Sequence, residues 1–249
     1  MKLNDRLYDL FADKAKSVTI EVLSLGLGYT AVTTSDGGMG ISYTYFESKK
    51  SCALNKDYDD YEGKSASGLL EKIRSTDTVQ RSMALALINA LNYESALSLP
   101  EDRKNTIMFE KFNIGQGTKV AMVGFFGPMM RLFKERKAEL EVMDSFRGLG
   151  GKENFYEKLE NWADVLFLTS TSILNNTTEE ILERTGETVK TVMIGPSTPM
   201  VREAFENLPV QMLAGTVPVE KEKVLKAVRH GTGTPVIQRF SKKSFLDLF

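Results

Sequence analysis

The residues best suited to holding a small ligand sit in five short turns, each following an apolar run. Gly124, Phe125, Phe126 and Gly127 follow KVAMV; Asp144 follows LEVM; Thr169, Ser170, Thr171 and Asn175 follow DVLFL; Gly195, Pro196, Ser197 and Thr198 follow TVMI; Gly215 and Thr216 follow QMLA. Glycine, serine and threonine let a ligand approach backbone amides closely, and the helix N-termini that follow such turns favour anions. The first turn, GFFGPM, is not G-x-G-x-x-G, so the dinucleotide fingerprint is absent. Its two phenylalanines suit a planar or apolar ligand, or packing between domains. Asp144 stands about 20 residues beyond Gly124, where an acid at the end of a second strand can accept hydrogen bonds from a ribose. Glu141 is its competitor for that position.

Some of these polar residues have a structural explanation. Thr177 or Asn176 is placed to cap the helix TEEILER, with Glu180 closing a capping box behind Thr177. That leaves Thr169, Thr171 and Asn175 for a ligand. Ser197 or Thr198 is placed to cap a helix whose first position is Pro199. No nucleophile and base can be paired. His230 is the only histidine and lies in VRHGTGTP, a helix C-terminus where a cation suits the dipole. With Cys52 the only cysteine, one chain can form neither a disulfide nor a Cys/His zinc cage.

The elements that must position these turns form a repeating unit of short apolar strand, turn and helix. KVAMVG precedes a helix over 128–137 that Pro128 opens; LEVM precedes 152–162; ADVLFLTST precedes 178–185; TVKTVMIGPS precedes 199–206; PVQMLAGT precedes 219–228. Apolar runs without alternation suit parallel strands covered on both faces. Five of them alternating with helices predict a Rossmann-like sheet whose ligand lies at the strands' carboxyl ends.

Upstream of Gly115–Gly117 the pattern is different. An amphipathic helix comes first, with Leu3, Leu7, Leu10 and Phe11 on one face. Strands over 18–26, 29–34 and 40–44 form a meander whose last two members turn at Asp36, Gly37 and Gly38. The glycines there serve tight turns, or carry Asp36 and Gly38 on a loop towards a ligand. Asn55–Lys64 reads as a solvated loop, because its Asp57, Asp59 and Asp60 lack EF-hand spacing. Helices follow over 69–73 and 78–91. The second is apolar almost all round, so Asn89 inside it is either a clamp on a neighbouring loop or a ligand contact. The expected domains are 1–116 and 117–249.

Composition excludes several classes. The chain has 249 residues, 42% hydrophobic and 26% charged, with 32 basic and 33 acidic residues and a net charge of −1. Its charges are interleaved, which disfavours nucleic acid as a partner. No window reaches the roughly 18 apolar residues of a membrane span. A cytoplasmic protein is expected, with a homodimer as the default assembly.

The ordered motifs VGFFGPM, LEVMD, ADVLFLTSTSILNNT, MIGPSTPM and LAGTVPV, after ALALINALN, resemble the heavy-metal chelation family. The resemblance covers about 18–219. It implies an α/β protein: a small α+β enolase N-terminal-like domain of meander and helices, followed by a Rossmann-like domain. It further implies a site in the cleft between them, formed by the Gly124 turn, Asp144, the Thr169–Asn175 turn and the Gly195–Ser197 turn. Asp36, Gly38 and Asn89 would be the first domain's contributions. Enolase chemistry is not carried over, because no barrel follows to supply its magnesium carboxylates and base.

The family's metal handling conflicts with the residues, since soft metals prefer thiolate and imidazole and the chain has one of each. A small-molecule chelator would then supply most ligands, or oxygen ligands such as Asp36 and Asp144 would hold a harder divalent ion. Three functions remain open: handling of a metal chelator or metal cofactor through a small anionic or nucleoside-like ligand, an S-adenosylmethionine- or nucleotide-dependent transferase, and a non-catalytic metal-chelate binding protein.

Overall fold

The computed structural model of the chain describes residues 2–46 and 58–248. Cys52, Asp57 and the start of the acidic loop lie outside the described residues. The first part contains α1 (Leu3–Ser17), β1 (Ile20–Leu25), β2 (Tyr29–Thr34), β3 (Met39–Tyr43), α2 (Ser67–Leu70), α3 (Thr78–Leu91), α4 (Tyr93–Ser98) and α5 (Ile107–Lys111). Then come β4 (Lys119–Val123), α6 (Gly127–Glu135), β5 (Glu139–Met143), α7 (Lys152–Asn161), β6 (Val165–Thr169), α8 (Thr171–Leu174) and α9 (Thr178–Glu183). The chain ends with β7 (Lys190–Ile194), α10 (Arg202–Phe205), β8 (Met212–Pro218), α11 (Lys221–Arg229), α12 (Thr234–Ile237) and β9 (Ser241–Asp247).

Strands β1, β2 and β3 form the expected antiparallel meander, and the remaining six form one sheet in the order β5-β4-β6-β7-β8-β9. Its first five strands in sequence are parallel, whereas β9 runs antiparallel to β8. The parallel part therefore has the doubly wound order in which the first strand has the second on one side and the third on the other. The order in which strands are added reverses across the β4/β6 boundary, and that is where such sheets open a crevice.

Strand alternation sorts the side chains between two layers. Val120, Met122, Val165, Phe167, Val192 and Met212 pack with Met108 and Phe109 of α5 and Met129 and Phe133 of α6. Ala121, Val123, Leu166, Leu168, Met193 and Leu213 face a larger core that takes in α7, α10 and α11 and continues into α1, α3 and the meander. The two parts of the chain thus share one apolar interior.

Helix α3 is the spine of the first part. Asp77 caps it, accepting from the amides of Val79 and Gln80 at 2.7 and 3.0 Å, and nearly every residue along it is buried. The meander lies against it closely enough to demand glycine. A Cβ on Gly40 would stand 2.1 Å from the Ala86 carbonyl oxygen, and one on Gly38 2.3 Å from that of Ala90. Close packing on α3 is therefore what these two glycines supply, while Gly37, at φ +81°, makes the turn.

Four sequence expectations need correction. Leu10 is 44% exposed, and Ala15 rather than Leu10 completes the buried face of α1. Neither Ser197 nor Thr198 caps a helix at Pro199, because α10 begins only at Arg202 after a turn closed by the Thr198 amide on the Gly195 carbonyl. The Thr177 hydroxyl donates to Asn175 Oδ1 at 2.7 Å instead of capping α9, and Glu180 pairs with Lys152 at 2.6 Å. Finally, β9 adds an antiparallel edge that the βα rhythm does not contain, from a segment too rich in lysine and serine to read as an apolar strand.

Gly40→Ala should lower stability by about 3 kcal/mol, since backbone on both sides must move to admit the methyl. Urea unfolding would measure it, and a wild-type midpoint would remove the packing role assigned to Gly40.

Candidate functional site

Two neighbouring chambers open above the carboxyl ends of β4 to β8. The smaller, of about 260 Å³, lies over β6, β7 and β8 and is bounded by β9 and α5. The larger, of about 610 Å³, lies over β4, β5 and β6. Tyr43, Phe125, Phe126, Thr169, Thr171 and Thr234 line both, so these six form the waist of one cleft. The waist stands at the β4/β6 switch point. There Gly124 adopts φ +88°, and a Cβ on it would meet Thr169 Cβ at 3.0 Å. Glycine is what lets the two strand ends approach and the chain swing out into Phe125 and Phe126.

The meander, the residues just after it and the turn after β5 supply one aromatic wall. Tyr29 and Tyr43 meet edge to face at 5.9 Å between centroids, Tyr43 and Tyr45 at 6.3 Å, and Tyr45 and Phe146 at 5.4 Å. Opposite, the Arg147 guanidinium lies 4.5 Å from the centroid of the Phe125 ring. Aromatic faces and a stacked guanidinium are the usual environment of a planar group.

Hydroxyls and two acids, Asp102 in the smaller chamber and Asp144 in the larger, complete the lining. Thr169 and Thr171 share a hydrogen bond of 2.9 Å, and Tyr29 shares one of 2.6 Å with Thr234. Burial pushes the Tyr29 phenol up to about 12, with Tyr43 adding to the shift and Thr234 opposing it, so it serves as a neutral hydrogen-bonding group. Burial also raises the Tyr43 phenol, assisted by Tyr45 and by the negative charge of Asp144. Asp144 Oδ1 accepts from the Arg147 amide at 3.0 Å, which ties the 144–147 turn.

Of the residues expected to form the site, Gly124, Phe125, Phe126, Pro128, Asp144, Thr169, Thr171, Asn175, Gly195, Pro196 and Ser197 all line one or both chambers. Asp36, Gly38 and Asn89 line neither. The Asn89 amide donates to the carbonyls of Ile41 and Ser197 at 2.9 and 3.2 Å, which is the clamp. Asp36 pairs with Lys14 at 2.8 Å and accepts from Thr34 and the Gly38 amide. Glu141 pairs with Lys158 at 2.6 Å and also lines neither chamber, so of these two acids it is Asp144 that lines the cleft. His230 is exposed at the end of α11, away from the lining. Sequence reasoning missed Tyr29, Tyr43, Tyr45, Arg147, Thr234 and Lys243; the spacing of Tyr43 and Tyr45 in ISYTYF, two apart at and just past the end of β3, is a signal that could have found the aromatic wall.

Among the described residues, no group of three or more His, Cys, Asp or Glu side chains could hold a metal ion. Nor, among them, is any helix long and apolar enough to cross a membrane.

Fold and cleft together define an α/β protein with a doubly wound sheet and an antiparallel meander closing over its switch point. Residues 107–247 and 8–92 match two family descriptions, both worded "Putative heavy-metal chelation", and the chain belongs to that family. An uncharacterized protein, MJ0500, of Methanocaldococcus jannaschii is 22% identical over 99% of this chain and 97% of its own length. A DUF364-family protein of unknown function from Pyrococcus horikoshii shares the fold with a TM-score of 0.81 at 21% identity, covering 98% of this chain and 99% of that one. Another, from Desulfitobacterium hafniense DCB-2, aligns with a TM-score of 0.76 at 18% identity, over 97% and 96% of the two chains.

Two outcomes follow from the contacts that hold the walls. Ser197→Ala should destabilise by about 1–3 kcal/mol, because the Tyr43 amide, which donates to Ser197 Oγ at 2.7 Å, loses its acceptor; urea unfolding reads it directly. For Asp36, burial pushes the carboxyl upward, but hydrogen bonds from Lys14, Thr34 and the Gly38 amide outweigh it and the net shift is downward. Its contribution is then present above the ordinary carboxylate range and is lost as pH falls through the lowered value. Asp36→Asn should flatten the acid side of a stability-against-pH curve, and an unchanged acid limb would contradict the assignment.

Proposed function

We propose that this protein binds a small ligand with a planar part in the two-chambered cleft, in the cytoplasm, and that this binding serves the handling or synthesis of a metal chelator or metal cofactor. The observation that carries the reading is the waist. Three aromatic rings and three threonine hydroxyls from both parts of the chain converge on the switch point of a doubly wound sheet, the position at which such sheets hold ligands.

The family description supports the connection to heavy metals, and the lining restricts how it can be made. With no three-residue donor group among the described residues, a soft metal would enter already coordinated, its chelator lying between Tyr43 and Phe125. Bare zinc or nickel should bind weakly, and a preformed chelate well.

A second reading rests on Asp144. It closes β5 and lines the larger chamber, the location from which an acid in a doubly wound sheet accepts ribose hydroxyls. An S-adenosylmethionine- or nucleotide-dependent transferase would use it in that way.

A thermal-shift screen separates the two. A ligand at 100 times its dissociation constant should add about 2.7 kcal/mol of stability. Preformed metal chelates are expected to give the shift, and Phe125→Ala should weaken their binding about tenfold through loss of stacking area. A shift confined to adenosine compounds and lost in Asp144→Ala would favour the transferase. Binding that is indifferent to Phe125→Ala would remove the cleft from either account.

A further inference from the structure

The carboxyl half of β8 keeps an open backbone edge inside the smaller chamber. On β9, the Lys243 carbonyl accepts from the Asp102 amide at 2.9 Å and the Phe245 amide donates to the Pro100 carbonyl at 3.3 Å, so both residues turn their peptide groups away from β8. Thr216 and Ala214 lie opposite them on β8. These are the non-bonded pairs of an antiparallel ladder, in which Thr216 and Ala214 direct their own N–H and C=O groups to the β7 side. Two bonds agree with that direction. The Ala214 carbonyl accepts from the Gly195 amide at 3.1 Å, and the Pro218 carbonyl, further along the same edge, accepts from the Tyr93 hydroxyl at 2.9 Å.

Between those two positions the edge is open. Strand β7 ends at Ile194, opposite Ala214, and a longer parallel ladder would bring the Thr216 amide to the Gly195 carbonyl. Gly195 instead takes φ +140°, and its carbonyl accepts from the Thr198 amide at 3.1 Å and the Thr198 hydroxyl at 2.8 Å. Among the described residues, no other group bonds to the Thr216 peptide on this side. The space left by the departing chain belongs to the smaller chamber, where Thr216 is joined by Gly195, Pro196, Ser197, Tyr29 and Tyr43. With Ala214 and Pro218 both occupied, one residue of open edge is too short to take an added strand. It suits a small group with one acceptor and one donor side by side.

We infer that the Thr216 N–H and C=O recognise the edge of a planar ligand that carries an acceptor and an N–H donor on neighbouring atoms, as an amino-substituted nitrogen ring or a lactam does. The inference rests on the cleft being the ligand site and names the class of planar group it takes. The ligand's acceptor receives the Thr216 amide, its N–H donates to the Thr216 carbonyl, and its ring face extends to the aromatic residues of the waist. Bonds from β9 hold β8 in place on the other side, so the pair is ordered before a ligand arrives. A ring with acceptors alone would leave the Thr216 carbonyl without a donor, and that mismatch provides the discrimination.

The test uses the full-length protein, labelled with ¹⁵N and titrated separately with 2-aminopyrimidine and with 2-pyridone. Each is matched by a methylated counterpart, 2-(dimethylamino)pyrimidine or N-methyl-2-pyridone, which keeps the ring and lacks the N–H. A saturable downfield shift of the Thr216 amide is expected with a parent compound, and the tighter of the two parents tells the amino ring from the lactam. The methylated forms should bind about tenfold or more weakly, as an unmatched carbonyl implies. Thr216→Pro removes an N–H that no ladder bond uses, so it should weaken parent binding to a similar degree while the urea midpoint stays near wild type. Thr216→Val keeps the peptide group and should retain the binding. No saturable shift at Thr216, or parent and methylated compounds that bind alike, would overturn the subsite whatever the variants do. If metal chelates still stabilised the protein in a Phe125-dependent manner in that case, the cleft itself would stand and only the recognised edge would fall; loss of both would remove the cleft as well.

Discussion

A short seam of side chains bonded to backbone groups holds the meander against the large sheet. Ser197 Oγ receives the Tyr43 amide, Asn89 reaches the carbonyls of Ile41 and Ser197, and Asn92 donates to the Met200 carbonyl at 2.8 Å. The Asn89–Ile41 bond ties α3 to β3, and the other three join β3, α3 or the residue that ends α3 to the turn between β7 and α10. Hydrophobic burial drives the association, because the core runs without interruption from α3 to α11. Apolar contact alone does not fix register, however, and directional bonds from partly buried groups do. They set Tyr29, Tyr43 and Tyr45 at the height of the strand ends, so the cleft exists because the seam does.

The same constraint explains the division of labour among the polar residues. Ser197 contributes its hydroxyl to the seam while its turn lines the smaller chamber. Asn175 likewise holds its own turn, accepting from Thr177, and reaches Tyr45 across the cleft at 3.3 Å. Thr169 and Thr171, by contrast, bond chiefly to one another. A pair of hydroxyls satisfied in this way can exchange a partner for a ligand at little cost, whereas a seam residue cannot.

Much of this was legible from residue order. Helix α3 has the limits read from its sequence, and β2 does too, because Asp-Gly turns, apolar periodicity and capping are local signals. Four of the five carboxyl-end turns were found because Gly, Ser and Thr stand out after apolar runs, and the second through Asp144. What could not be found locally depends on long-range partners. Gly38 and Gly40 look like loop glycines until α3 is laid across them. Ser197 looks like a helix cap until β3 claims its oxygen, and Asp36 like a ligand until Lys14 claims its charge. Strand β9 is read as an edge only once β8 is there to pair with it.

The most direct measurement is a crystal structure of the protein with a chelate or nucleotide selected by stabilisation. The account predicts a planar group between Tyr43 and Phe125 at the β4/β6 boundary, with the ligand reaching into the chambers on either side. A ligand seated outside the two chambers, with the rings of Tyr43 and Phe125 collapsed on one another, would contradict it.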